Sequence, residues 1–147
     1  MAHPHFDPDT IDWQPFGDFP HFSFAIQHLD RASRIADILF RFKAGEQIVL
    51  HRHLALNHTF VVAGEHRIHD ADGTLRERRP TGSYTVSPPS PTPHREGGGA
   101  EDAIVLFSMR PQPGELLYQI LDDQENTVAE VTFEMLEAIE DARRAAA

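Results

Sequence analysis

The hydrophobic positions of this chain alternate with polar ones in short runs. Phe22, Phe24, Ile26 and His28 fall on one face of a strand over residues 22–29, because strand side chains point alternately to opposite sides. Asp30-Arg31-Ala32-Ser33 reads as a turn. Residues 34–42 form a second strand that is apolar in places on both faces. After a turn at 43–46, a third strand covers 48–53 and a fourth covers 58–63, the latter with His58, Phe60 and Val62 on one face. Gly64-Glu65 turns the chain into a short strand, 66–70. Asp70-Ala71-Asp72-Gly73 is a hairpin signal, and 74–79 returns with alternating charge, as a solvent-facing edge does. Further strands are predicted to begin at Tyr84 and to cover 103–109, 116–121 and 127–131. Between them, residues 87–93 are dense in proline, which cannot donate to a ladder, so a stiff loop leads to His94. Residues 96–102, with Gly97-Gly98-Gly99, read as flexible. Thr132 caps a helix from Phe133 to about Ala146, with Phe133, Leu136, Ile139 and Ala142 as its apolar stripe.

About ten short strands with regular turn signals and one terminal helix predict an all-β sandwich or barrel. The expected organisation is a single domain over 1–147: an extended arm at 1–21, a barrel at 22–131 and the C-terminal helix at 132–146. The arm carries Trp13, Phe16 and Phe19, too many aromatics for a free tail. It is expected to lie on a hydrophobic surface of its own barrel or of a partner subunit.

Composition narrows the chemistry. The 147 residues carry a formal charge of −10, which repels a phosphate backbone and argues against nucleic-acid partners. No apolar run approaches the roughly 20 residues of a membrane helix, and the N-terminus lacks the basic start and apolar core of a signal peptide. A cytoplasmic location is therefore expected. Cysteine is absent and histidine numbers ten, so any metal must be held by nitrogen and oxygen.

The histidines are not scattered. His51 and His53 sit one residue apart in a strand-like run and therefore share a face, His58 follows, and His94 stands beyond the proline-rich loop. The spacing Gly45-x5-His51-x-His53, closed at Gly64, followed by Gly82-x5-Pro88 and then His94, resembles the two motifs of the cupin superfamily. That resemblance covers residues 39–109. It implies a double-stranded β-helix of RmlC-like jelly-roll type, with His51 and His53 as paired ligands of a divalent metal and His94 as the second-motif ligand, its distance from the proline one residue longer than the common form. His58 stands where the family usually has a glutamate, which implies an all-histidine set of His51, His53, His58 and His94. A slip of one residue would put Asn57 there instead.

Within the superfamily the layout is similar to small β-diketone-cleaving and dihydroxyacetophenone-type dioxygenases, and to the zinc-binding cupin domain of ChrR-type anti-sigma factors. The resemblance implies iron(II), with zinc or nickel as alternatives, and O2 cleaving a carbon–carbon bond of a small dicarbonyl-like or aromatic ketone substrate bound as its enolate. The alternative is a non-catalytic zinc cupin, structural or sensory. Phe42, Phe60, Val62, Tyr84, Leu106 and Tyr118 are expected to line the substrate pocket. His28 and His66 are expected to face solvent, with a hydrogen bond to a ligand as their other role. Arg41 and Arg52 are expected in rim ion pairs. A homodimer or higher homo-oligomer is the expected assembly.

Overall fold

The alternation resolves into twelve strands, a 3-10 turn at Pro8–Thr10 and one α-helix in a computed structural model that describes residues 5–147; the first four residues of the expected arm lie outside the described residues. The strands are β1 (Gln14–Pro15), β2 (Phe22–Asp30), β3 (Ile35–Phe42), β4 (His51–His53), β5 (Leu56–Ala63), β6 (His66–His69), β7 (Leu75–Arg79), β8 (Tyr84–Ser87), β9 (Arg95–Gly98), β10 (Ala103–Arg110), β11 (Tyr118–Leu121) and β12 (Thr127–Val131), followed by α1 (Phe133–Ala146). One wall is a six-stranded sheet in the order β1-β2-β3-β10-β5-β8; two three-stranded sheets, β12-β11-β4 and β7-β6-β9, face it. An antiparallel bridge between His51 and His94 joins the two smaller sheets. Each residue's N–H bonds the other's carbonyl, at 3.1 and 3.0 Å. The arrangement is a jelly roll.

Phenylalanines fill the space between the walls. Phe40 meets Phe107 edge-on at 4.9 Å between ring centroids, and Phe42 stacks on Phe40 at 6.1 Å. The arm lies on its own barrel: β1 pairs with β2, Phe16 packs edge-on against Phe24 at 5.3 Å, and the Arg41 guanidinium covers Trp13 at 4.6 Å. Arg52 sits at the rim, donating to the Pro91 carbonyl and to Gln119 and pairing with Glu125 at 3.5 Å. Thr132 caps α1 by accepting from the Met135 N–H. The helix buries Phe133, Leu136 and Glu140 and leaves Ile139 at 36% exposure, so its stripe is narrower than predicted. No helix among the described residues is long and apolar enough to cross a membrane.

Two sequence expectations fail here, each for a physical reason. The glycine-rich stretch after His94 is the inner strand β9, with Glu96, Gly97, Gly98 and Gly99 buried. A Cβ at Gly97 would overlap the Glu46 carbonyl, and one at Gly98 would lie 2.9 Å from that of Phe42. These glycines let backbones approach closely; they do not supply flexibility. Gly97→Ala is expected to lower stability by about 2 kcal/mol or more, since backbone rather than a pliable side chain must yield; an unchanged urea midpoint would contradict this.

The second failure concerns β5. His58, Phe60 and Val62 face outward, and Asn57, Thr59 and Val61 are buried at 2%, 3% and 1% exposure. Register is binary in a strand: a phase error of one residue exchanges the two faces. The outer face of β5 and of the edge strand β8 consequently exposes Phe60, Tyr84 and Val86.

Candidate metal centre

Four side chains converge where the two smaller sheets meet. His51 and His53 alternate inward on β4. His94 and Glu96 repeat the same spacing on the segment bonded to it, so two i, i+2 pairs face one another across a backbone bridge. One donor atom from each of the four lies within 4.8 Å of every other. His51 Nε2 is 3.0 Å from His53 Nε2 and 2.7 Å from Glu96 Oε2; His53 Nε2 and His94 Nε2 are 3.2 and 3.6 Å from the same oxygen. Ligands about 2.1 Å from one ion and about 90–110° apart stand about 3.0–3.4 Å from each other, so these spacings suit one divalent cation.

The hydrogen-bond pattern favours the same occupant. His51 Nδ1 lies 2.8 Å from the Val49 carbonyl, which accepts its proton, so a neutral ring turns a lone pair at Nε2 toward Glu96. Asn57 Nδ2 is 3.3 Å from His53 Nδ1, while Asn57 Oδ1 is buried without a partner. Exchanging the two amide atoms lets Oδ1 accept the Nδ1 proton and leaves His53 Nε2 as a second inward lone pair. His94 Nε2 is likewise buried and unpartnered. Lone pairs at such separations repel unless a cation or a proton lies between them.

Electrostatics hold these groups in ligating form. Burial pushes the His53 imidazole down to about 3, against the attraction of Glu96. His94 is pushed down too, by burial first. Burial alone would raise the Glu96 carboxyl; attraction to the neighbouring imidazoles and the hydrogen bond from His66 outweigh it and hold Glu96 well below the usual carboxylate range. The Tyr118 phenol is pushed well up by burial and by the Glu96 charge, so it stays protonated.

His58, expected among the donors, lies outside the cluster, with its Nδ1 2.6 Å from the Tyr84 hydroxyl on the outer face. Asn57 holds the inward position and touches His53. The carboxylate that the motif lacks on β5 is supplied by Glu96 on β9. His66, expected in solvent, is fully buried; it donates Nε2–H to Glu96 Oε1 at 2.8 Å and stacks on Phe42 at 5.2 Å. His28 is exposed. The repeated His51-x-His53 and His94-x-Glu96 spacing was the signal that could have found Glu96.

Two cavities reach the cluster. An apolar one of about 40 Å³ behind His51 and Glu96 is walled by Phe40, Phe42, Phe107 and Tyr118, with room for about two or three waters. A larger one of about 300 Å³ opens onto His53, His94 and Glu96. Phe42 and Tyr118 thus stand beside the cluster as expected pocket residues would. Phe60, Val62, Tyr84 and Leu106 line neither cavity; Phe60 pairs with Tyr84 and Leu106 across the sheet, and Phe60 and Tyr84 are 42% and 62% exposed.

A family model for the ChrR cupin-like domain matches residues 2–112. The chain belongs to the ChrR cupin-like family. The match contains all four convergent side chains. No curated protein matches the sequence. Among solved structures, an RmlC-like cupin protein from Ralstonia eutropha JMP134 superposes with a TM-score of 0.70 at 18% identity, over 99% of this chain and 89% of that one. An acetylacetone dioxygenase from Acinetobacter johnsonii gives 0.67 at 12% identity, over 94% and 89%. The polyketide cyclase RemF from Streptomyces resistomycificus gives 0.59 at 15%, over 78% and 84%. At these identities the likeness is one of fold, and the dioxygenase and the cyclase differ in activity.

Proposed function

We propose that this cupin is a non-heme iron(II)-dependent dioxygenase that cleaves a carbon–carbon bond in a small dicarbonyl-like or aromatic ketone substrate taken as its enolate. The observation that carries the proposal is the 300 Å³ cavity ending directly on His53, His94 and Glu96: it gives a small molecule access to the donor atoms. Its volume is at the lower end for ligand pockets. The fold shared with the acetylacetone dioxygenase supports the same reaction class.

His51, His53, His94 and Glu96 would hold the metal. When bound, iron(II) supplies Lewis acidity toward the enolate oxygens and one-electron chemistry toward O2. The protein orients and excludes. Val49 fixes the His51 tautomer, Asn57 the ring of His53, and His66 the carboxylate of Glu96. Phe40, Phe42 and Phe107 keep water from the buried side.

Iron-loaded protein given 2,4-pentanedione or an aromatic 1,3-diketone is expected to consume O2 in step with substrate loss and to stop when the metal is chelated. No oxygen uptake with any diketone at full iron loading would sink this reading.

One observation favours a second reading. Three histidines and a glutamate suffice to close a tetrahedral zinc site, which fits a structural or sensing cupin. A four-coordinate zinc with no exchangeable position, seen by X-ray absorption on protein purified without chelators, would select it. The exposed Phe60, Tyr84 and Val86 on the β5–β8 face support a homodimer.

A further inference from the structure

We infer that the polar cavity is built for a substrate carrying a carboxylate, recognised by Arg76 and Arg79 of β7. This deepens the functional reading above and rests on it for the location of the reaction. β7 pairs with β6 so that His66 faces Arg79 and Ile68 faces Glu77. His66 and Ile68 are buried on the inner face, so their cross-strand partners point to the same side. The register then shifts between Ile68 and His69, leaving Arg76 as the extra residue.

Two strand residues three positions apart ordinarily point to opposite faces. A bulge re-aims one of them. The result is two guanidiniums on one wall of the cavity that ends on His53, His94 and Glu96. β7 is the exposed edge strand that the sequence predicts, and these two arginines also line the cavity.

The two arginines are positioned but incompletely used. Glu77 accepts from Nε and Nη2 of Arg79 at 2.9 and 3.1 Å, which fixes the plane of the fork. Among the described residues, Arg79 Nη1 has no hydrogen-bond partner. Asp70 approaches Arg76 Nη1 at 3.2 Å. The acidic group that lines the cavity, Glu96, faces the histidines of the cluster and accepts from His66.

The Arg79 side chain is 14% exposed and that of Arg76 42%, which puts Arg76 toward the mouth. Deeper in, Thr59 Oγ1 is buried without a partner in the same cavity, and the Asn57 amide, with its Oδ1 accepting from His53, keeps a free N–H there. An apolar ligand would leave all of these polar atoms unmatched; one with oxygens along its length satisfies them. A planar fork with a free edge suits a carboxylate. The substrate class is therefore a small oxo- or hydroxy-carboxylic acid, its acid group on the arginines and its chelating oxygens toward the cluster.

The test compares two probes, 2,4-dioxopentanoate and 2,4-pentanedione, in which a carboxylate replaces a methyl. Calorimetric binding is measured to metal-free and to zinc-loaded protein, so that oxygen chemistry does not intervene. The acid is expected to bind about tenfold or more tightly than the neutral diketone, a preference that falls with added salt. Arg76→Met and Arg79→Met should each remove most of the preference without weakening 2,4-pentanedione, and Arg79→Lys should restore part of it. The half-exposed Arg76 tolerates substitution even if Arg79→Met unsettles Glu77.

Equal affinity for the two probes, equal loss of both in the variants, or binding of neither overturns the inference. If the cluster takes up no metal, the dioxygenase reading fails while the preference measured on metal-free protein still decides the role of the arginines. If metal binds and no preference appears, the arginine wall alone fails.

Discussion

His94→Ala is expected to leave the barrel folded and to reduce its affinity for a divalent cation by more than about 100-fold, since even partners behind a ligand are worth 10- to 100-fold. The structure separates this loss from simple unfolding. His94 Nε2 is buried without a partner, and removing a buried polar atom that bonds nothing does little harm to the metal-free fold. Metal-free wild type and variant should therefore melt at similar temperatures. Added zinc at 100 times its dissociation constant should stabilise the wild type by about 2.7 kcal/mol and the variant hardly at all. Oxygen consumption by the iron-loaded protein should vanish with the metal. A variant that keeps the zinc-dependent shift would show that the ion is held elsewhere.

The second large effect separates Glu96 from His58. Glu96→Gln removes a buried carboxylate on which His51, His53 and His66 converge. The amide oxygen still accepts from His66 and the amide NH2 can face the inward lone pairs, so the metal-free protein should change by about 1 kcal/mol or less while cation affinity falls sharply. His58→Gln touches only the half-exposed pair with Tyr84 and should change stability by about 0.5 kcal/mol or less. Denaturant titration together with zinc titration checks both variants. The reverse ranking, with His58 costing affinity and Glu96 not, would restore an all-histidine site.

These two residues mark where the sequence was legible. The all-β architecture, the shared face of His51 and His53 and the terminal helix follow from local signals (alternation, proline and glycine punctuation, and a cap), whereas the return of His94 to the pair came with the cupin resemblance. On β5 the reading failed because placing His58 inward with His51 and His53 requires the strand phase to change between His53 and His58. The phase does not change. His51, His53, Ala55, Asn57, Thr59 and Val61 are all buried, an unbroken period of two through the step from β4 to β5. Extending that count would have turned Asn57 inward and sent His58, Phe60 and Val62 to the surface. Glu96 was hidden differently. Glycines beside it imply flexibility until one knows that another backbone lies against them, and that is tertiary information. The bulge that aims Arg76 belongs to the same class, since it exists only in the pairing of two strands.

The bridge between His51 and His94 has a further bearing on how the chain is held together. No cysteine is present, so no disulfide can tie the strands together. The two halves of the cluster come from segments far apart in sequence, with His53 and Glu96 43 residues apart. A cation held by both halves would close that loop as a disulfide does, restricting the unfolded chain as well as completing the folded one. The donor set would then serve as a reversible staple, released by chelation.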